Sequence, residues 1–480
     1  MRKLFTLSLP IAFAITFTFS LLPHLCEAQY TDLHDFTGRN GSNPHGSLLL
    51  SGSKFYGMTL LGGAYNGGMV FSMDTDGSGY KDIWDFYLFA GPNGISPYGN
   101  LIISGNVLFG ITKNGGAGGF GDIFSIKTDG SGFKELKEFY TINGVDPQGS
   151  LLLEDTNLYG LAFTGGANMD GFIFSIDTSG KVFDDMHDFS GAGSFNPTGS
   201  LAAGPFNALY GMTSFGGANN YGCIFYILQN GIGYTDIYDF SGPDGREPHG
   251  SLIRIGNVFY GMTRIGGVNN AGCIFSINYN GSGYQVLLNF TSSLTGEYPY
   301  GDLTFAGGRL YGMTSAGAAN GSGCVFSVNI DGSGFIDLLD FSLANGQTPY
   351  GSLTISGENI YGMTSAGGID SLGTIFRLKD VGLAVTNVMA PKETTAVCPN
   401  PSNGVFNISF SYAGQSSSTL ANQSITVYNV LGENILTETL RSVQGNDIID
   451  LSSRPNGVYL YRIISTDGSP VGEGKLIIQK

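Results

Sequence analysis

The chain has 480 residues, 22 Lys and Arg against 38 Asp and Glu for a formal net charge of −16, only 12% charged residues, 12% aromatics and 76 glycines. An acidic balance with no basic surface argues against a nucleic-acid partner, since phosphate binding needs clustered Lys and Arg. Gly and Pro, 76 and 17 residues, stay below the range of disordered chains, so the composition is that of a turn-rich globular protein.

Residues 1–28 carry Arg2 and Lys3, an apolar stretch from Leu4 to Leu22, and Cys26-Glu27-Ala28 ahead of Gln29. This charged, apolar and small-residue order is that of a cleaved signal peptide, with cleavage expected after Ala28 and no transmembrane span left in the mature form. Cys26 is not read as a lipidation site, because Pro23-His24-Leu25 offers no small residue before it.

From residue 29 to 379 one pattern repeats. Tyr-Gly-Met-Thr or a close relative returns with its glycine at 57, 110, 160, 211, 261, 312 and 362, at intervals of 53, 50, 51, 50, 51 and 50 residues. Such a period marks one supersecondary unit copied in tandem. Within the unit at 299–341 lie four short apolar or alternating runs, around Pro299–Leu303, Leu310–Thr314, Cys324–Val328 and Phe335–Phe341, each bounded by Gly, Asn or Asp. Gly307-Gly308 and Asp331-Gly332 supply the tight turns, and the unit reads as a four-stranded antiparallel propeller blade. The fourth-strand signature occurs first at Tyr30–Phe36, before any first strand, whereas the last copy stops after its third strand at Leu378. These two ends predict a seven-bladed β-propeller closed by the N-terminal strand.

After 379 the period ends. Residues 380–396 read as a linker, and 397–480 as a small Ig-like β-sandwich of six or seven short strands. Its landmarks are Pro399-Asn400-Pro401 with Gly404, Tyr428-Asn429 with Gly432, Asn456-Gly457 with Tyr459, and Lys475-Leu476-Ile477-Ile478. In these motifs the segment resembles the C-terminal sorting domain (type A) of the type IX secretion system, departing at Cys398, where that family often has Tyr. The resemblance implies a Gram-negative source, the type IX translocon as partner of residues 397–480, and a mature protein that is secreted or held on the outer face of the outer membrane. The repeats are similar to the Gloeo/Verruco-type extracellular tandem repeat and, through glycine pairs such as Gly62-Gly63 and Gly266-Gly267, to kelch blades. Neither likeness implies a defined activity.

In such a blade the long 2→3 and 4→1 connections share one face, and recognition is expected on loops of this kind. The middle position of Pro-x-Gly, at the start of each innermost strand, is occupied by His45, Tyr98, Gln148, Thr198, His249, Tyr300 and Tyr350. The sevenfold geometry predicts these around the channel mouth, where five rings either plug the opening or stack on a sugar or apolar ligand. Asp74–Gly79 reads as a hairpin turn rather than a calcium loop, and Met58, Met212, Met262, Met313 and Met363 as packing between blades. Glycine in that strand is expected to permit close backbone approach or bending. Cys223, Cys273 and Cys324 share one repeat position with Met69, Asp122, Phe172 and Thr374, which favours packing over a metal or a disulfide.

For chemistry, His34 and His187 fall in the outermost strand, His45 and His249 could share a metal only if the ring brought them together, and Asp302 replaces the usual Ser as a candidate general base. No repeated carboxylate pair stands out. No cofactor or metal is implied. The sequence therefore favours a secreted or surface binding propeller that recognises a glycan, protein or matrix through its long-loop face. The alternative is an extracellular polysaccharide-degrading or oxidising enzyme with its site in the central funnel.

Overall fold

A computed structural model describes residues 29–88, 94–140, 145–191, 193–379, 394–398, 402–411, 423–429, 434–440, 446–464 and 470–480. The expected signal peptide at 1–28, and residues 380–393 of the expected linker, lie outside the described residues.

The repeats form seven four-stranded antiparallel sheets, one per copy. The first blade consists of Leu49–Ser51, Lys54–Thr59, Asn66–Asp74 and Lys81–Tyr87, hydrogen-bonded in chain order. The seventh has Thr354–Ser356, Asn359–Thr364 and Thr374–Lys379 from the end of the array, with Gln29–Asp35 from its start in the fourth place. Gln29 lies opposite Lys379 and Asp35 opposite Thr374, so both ends of the array share one sheet.

The core lies between blades. Tyr56, Met58, Val70 and Phe86 of the first blade pack with Leu101, Leu108, Phe124 and Ile126 of the second. Tyr361 and Met363 of the seventh pack in the same way with Phe55, Phe71 and Met73 of the first. The methionines of the second strands are buried here, each contributing about 1.5–3 kcal/mol relative to exposure. The glycine at the centre of each second strand has a cause other than the expected backbone approach. Gly57, Gly110, Gly160, Gly211, Gly261, Gly312 and Gly362 each face a third-strand phenylalanine, and a Cβ would stand 2.3–2.6 Å from its ring Cζ. The glycine makes room for the ring.

At the outer edge, the fourth strand of one blade stacks on the hairpin of the next: His34 on Tyr80 at 3.9 Å, Trp84 on Phe133 at 4.2 Å, His187 on Tyr234 at 3.9 Å and Tyr238 on Tyr284 at 3.8 Å. His34 and His187 thus serve packing, and burial lowers the pKa of both. The fourth strands also hold the repeated carboxylate pair that the sequence reading missed. Asp32/Asp35, Asp82/Asp85, Glu135/Glu138, Asp185/Asp188, Asp236/Asp239 and Asp337/Asp340 recur in six blades, with Val286 and Asn289 in the remaining one. The second member caps the 2→3 loop, as where Asp85 accepts the Ala64 N–H at 2.8 Å and Asp340 the Ala319 N–H at 3.0 Å. A β-bulge between the members turns both side chains to one side, which their spacing of three in an alternating strand conceals.

Cys223, Cys273 and Cys324 are buried, free thiols within 3.2–3.4 Å of the hydroxyls of Thr213, Thr263 and Thr314. Burial pushes Cys273 and Cys324 up to about 12, so they are inert packing groups. In the 3→4 turn Asp76 Oδ1 accepts from the N–H and hydroxyl of Ser78, a local turn bond in place of calcium ligation.

The C-terminal segment has two sheets, one of Thr394–Cys398, Val405–Ser411 and Asn446–Asp450, the other of Asn434–Leu440, Gln423–Tyr428, Gly457–Ile464 and Pro470–Ile478. Phe406 and Ile449 from the first meet Ile425, Val427, Tyr461 and Leu476 from the second in one core. No helix among the described residues is long and apolar enough to cross a membrane.

Candidate functional site

The mouth of the channel is built by backbone that leaves the sheets. In five blades the regular first strand is only three residues long, as in Ile253–Ile255 and Thr304–Ala306, and Pro-x-Gly precedes it. The second and fourth blades have longer first strands, Gly94–Ser104 and Ser194–Ala203, broken by a register shift after Tyr98 and Thr198. The sequence reading placed Pro-x-Gly inside the strand. In the five blades with three-residue first strands it lies outside, because the backbone turns there to bond the neighbouring blade, and in the second and fourth it lies inside at the register shift.

Those bonds form a complete ring. The N–H of Ser47 donates to Asn100 Oδ1 at 2.6 Å, Asn100 to Ser150 Oγ at 2.7 Å, Ser150 to Ser200 Oγ at 2.8 Å, and Ser200 to Ser251 Oγ at 2.8 Å. Ser251 donates to Asp302 Oδ1 at 2.5 Å, Asp302 to Ser352 Oγ at 2.7 Å, and Ser352 back to Ser47 Oγ at 2.7 Å. The Pro-x-Gly glycines allow this convergence: a Cβ on Gly149 would stand 1.8 Å from the Gly199 carbonyl oxygen, and one on Gly250 2.3 Å from that of Gly301. Only glycine fits where seven chains approach one axis. Asp302, the candidate general base, is a member of this ring, and its Oδ1 is occupied by the Ser251 N–H.

Above the ring, the seven predicted mouth residues all border one cavity of about 70 Å³. Five of them touch in sequence around the mouth. Tyr98 meets His45 at 5.0 Å between centroids, His45 meets Tyr350 at 4.6 Å, Tyr350 meets Tyr300 at 4.9 Å, and Tyr300 meets His249 at 5.0 Å. Gln148 and Thr198 fill the remaining arc, bonded to Asp146 and to the Pro248 carbonyl. His45 and His249 therefore stand two tyrosines apart along the arc and do not meet. Burial, with Lys113 nearby, lowers His45 to about 4, and burial with Arg264 nearby does the same for His249, so both imidazoles are neutral at pH 7. Burial raises Tyr98 to about 12.

Two cations bracket the aromatic arc, and the sequence reading named neither. Lys113 lies 5.4 Å from the Tyr98 ring centroid and 3.2 Å from Asp146. Arg264 donates from Nε to the Tyr300 hydroxyl at 2.8 Å, pairs with Glu247 at 2.7 Å and lies over the rings of Tyr298 and Tyr300. Both stand three residues after the second-strand glycine, where other copies have Leu60, Phe163, Ser214, Ser315 and Ser365. That variability inside a regular repeat was the available signal.

The residue before each of these prolines is a non-glycine at positive φ: Asn43, Ser96, Asp146, Asn196, Glu247, Tyr298 and Thr348, between 48° and 58°. This conformation is uncommon in general and disfavoured before proline, and holding it costs on the order of 1–3 kcal/mol per residue. It is held by bonds between the two long loops, such as Arg246 N–H to the Ile265 carbonyl at 2.9 Å and Glu297 N–H to that of Ala316 at 2.8 Å. Both long connections of a blade thus meet on the mouth face.

With this geometry the chain can be compared with known proteins. Residues 17–205, 192–376 and 294–409 match the Gloeobacter/Verrucomicrobia repeat. The chain belongs to that repeat family. Residues 396–479 of this repeat protein match the secretion system C-terminal sorting domain, which marks it for export and attachment at the cell surface by the type IX route. No curated protein matches it. Among solved structures, it is similar to the extracellular domain of BT4673 from B. thetaiotaomicron (TM-score 0.49, 12% identity, 93% of this chain and 58% of that one). It thus spans 58% of that chain's length. A candidate 6-phosphogluconolactonase from Bacteroides fragilis gives TM-score 0.44 at 14% identity over 83% of this chain and 98% of its own. The polysaccharide lyase Uly1 gives 0.44 at 10% over 72% and 91%.

Proposed function

We propose that this exported repeat protein is a cell-surface binding module that recognises a glycan or glycan-bearing surface protein across its channel mouth, without catalysis. The observation that carries the reading is the arc of five touching rings at the mouth, bracketed by Lys113 and Arg264. Aromatic faces stack on sugar C–H groups, and the paired cations add hydrogen-bond donors at each end of the arc. Seven strained residues beneath the rim fit a surface whose shape is held for recognition.

The alternative enzyme in the central funnel has less support. The rim cavity of about 70 Å³ is several-fold smaller than a typical small-molecule site, and the channel beyond the ring, about 450 Å³, is lined mainly by aliphatic side chains such as Leu101, Leu201 and Ile253 with Asp302 as its one carboxylate, which favours a sugar lying across the rings. Asp302 is engaged by the Ser251 backbone, and the two histidines that could act on a substrate stand apart. The test is a glycan array probed with the full chain, followed by affinity measurements on any hit. Tyr300→Ala and Tyr350→Ala should each weaken binding by at least about tenfold, in keeping with aromatic hot spots. Saturable binding that both variants leave untouched would sink the proposal, and turnover lost in His249→Ala would favour the enzyme.

A further inference from the structure

The ring of backbone-to-side-chain bonds contains one charged member. Asp302 is partly buried between the rim cavity and the channel below it; its Oδ1 accepts the Ser251 N–H, its own N–H donates to Ser352 Oγ, and among the described residues no lysine or arginine pairs with it. Withdrawing a carboxylate from bulk water with no cation beside it is unfavourable, and bonds from neighbouring N–H and hydroxyl groups offset only part of the cost. Asp302 also borders the cavity of about 70 Å³ together with the other ring residues, five of them serines and one Asn100. Each serine hydroxyl that accepts a neighbour's N–H keeps a second lone pair. His45 Nδ1, on the rim of the same cavity, is buried with no hydrogen-bond partner, which is what a group facing bound water looks like.

We infer that the channel binds a hard metal cation beside Asp302, with hydroxyl oxygens of the ring and water completing its shell. The donors below the rings are oxygens, which suit Na⁺, K⁺, Mg²⁺ or Ca²⁺ and not the softer metals that favour sulfur and imidazole. The cavity accommodates an ion and a few waters. The ion would neutralise the one charge at the axis of seven converging chains.

The experiment uses the full chain, stripped of metals in choline chloride buffer, with each of the four cations added in turn while the thermal midpoint is followed. At least one cation should raise the midpoint saturably, as ligand linkage requires. Asp302→Ser installs the residue that five other copies carry in the ring, and should raise the half-saturating concentration by at least about tenfold. Asp331→Ser, in a 3→4 hairpin turn outside the ring, should respond like the unaltered protein. Should Asp302→Ser fail to fold, Asp302→Asn keeps an acceptor for the Ser251 N–H and gives the same readout. The inference is overturned if no cation shifts the midpoint, if Asp302→Ser responds as the unaltered chain does, or if the midpoint follows pH alone, which would mean a protonated carboxyl.

Discussion

The second-strand glycine and the middle residue of Pro-x-Gly are two positions of the same repeat that behave oppositely. The first is glycine in all seven copies because a phenylalanine ring fills the space above it. The second is two histidines, three tyrosines, a glutamine and a threonine, although each follows a proline preceded by a residue at the same positive φ. Where all copies face one packing problem they share one answer, and where they face solvent at the mouth they diverge. The frame is therefore read from what repeats, and the site from what does not.

This contrast can be broken by substitution, and the largest effect belongs to the frame. Gly149→Ala drives a Cβ into the Gly199 carbonyl, which cannot swing aside, and should cost about 3 kcal/mol or more in a denaturant melt. A melt within error of the unaltered chain would show that the axis is looser than its bond ring implies. Ser200→Ala leaves the Ser150 N–H without its acceptor and should cost about 1–3 kcal/mol. Neither change should alter the affinity of folded protein for a mouth ligand.

The carboxylate pairs give a smaller effect with a defined pH window. Burial, then the hydrogen bond and charge of Asp85, raise Asp82 to about 7. A raised carboxyl holds its proton in the folded state after the unfolded chain has released it, so stability falls as pH climbs from about 4 towards 7. Asp82→Asn should therefore melt higher than the unaltered chain at pH 8, and the gap should close as pH falls towards about 4. A constant gap across that range would mean the pair does not titrate as described. The smallest effect is kinetic: a thiol reagent at pH 8 should leave Cys223, Cys273 and Cys324 unlabelled until the chain unfolds.

Much of the frame was legible because propeller packing writes itself as period. The Met and Gly of Tyr-Gly-Met-Thr, the aspartate-glycine turns and the unmatched strand at Tyr30–Phe36 all mark positions with one local solution. The mouth was half legible. Pro-x-Gly named the seven rim positions, yet Arg264 and Lys113 arrive from another loop, and nothing local ties them to Tyr300 and Tyr98. The ring of Ser47, Asn100 and their counterparts was hidden for a different reason. Each bond joins residues about fifty positions apart, and a lone serine after glycine looks like any turn residue. The carboxylate pairs escaped because alternation puts residues three apart on opposite faces, and only the bulge reverses that.

Hydrogen exchange on the full chain, with and without a saturating array hit, tests most directly whether recognition lies at the mouth. Protection is predicted in the long connections of the aromatic arc, at 242–249, 264–272, 293–300 and 343–350, with none in hairpin turns of the opposite face such as 331–334. Protection confined to those turns, or to residues 402–480, would contradict the account.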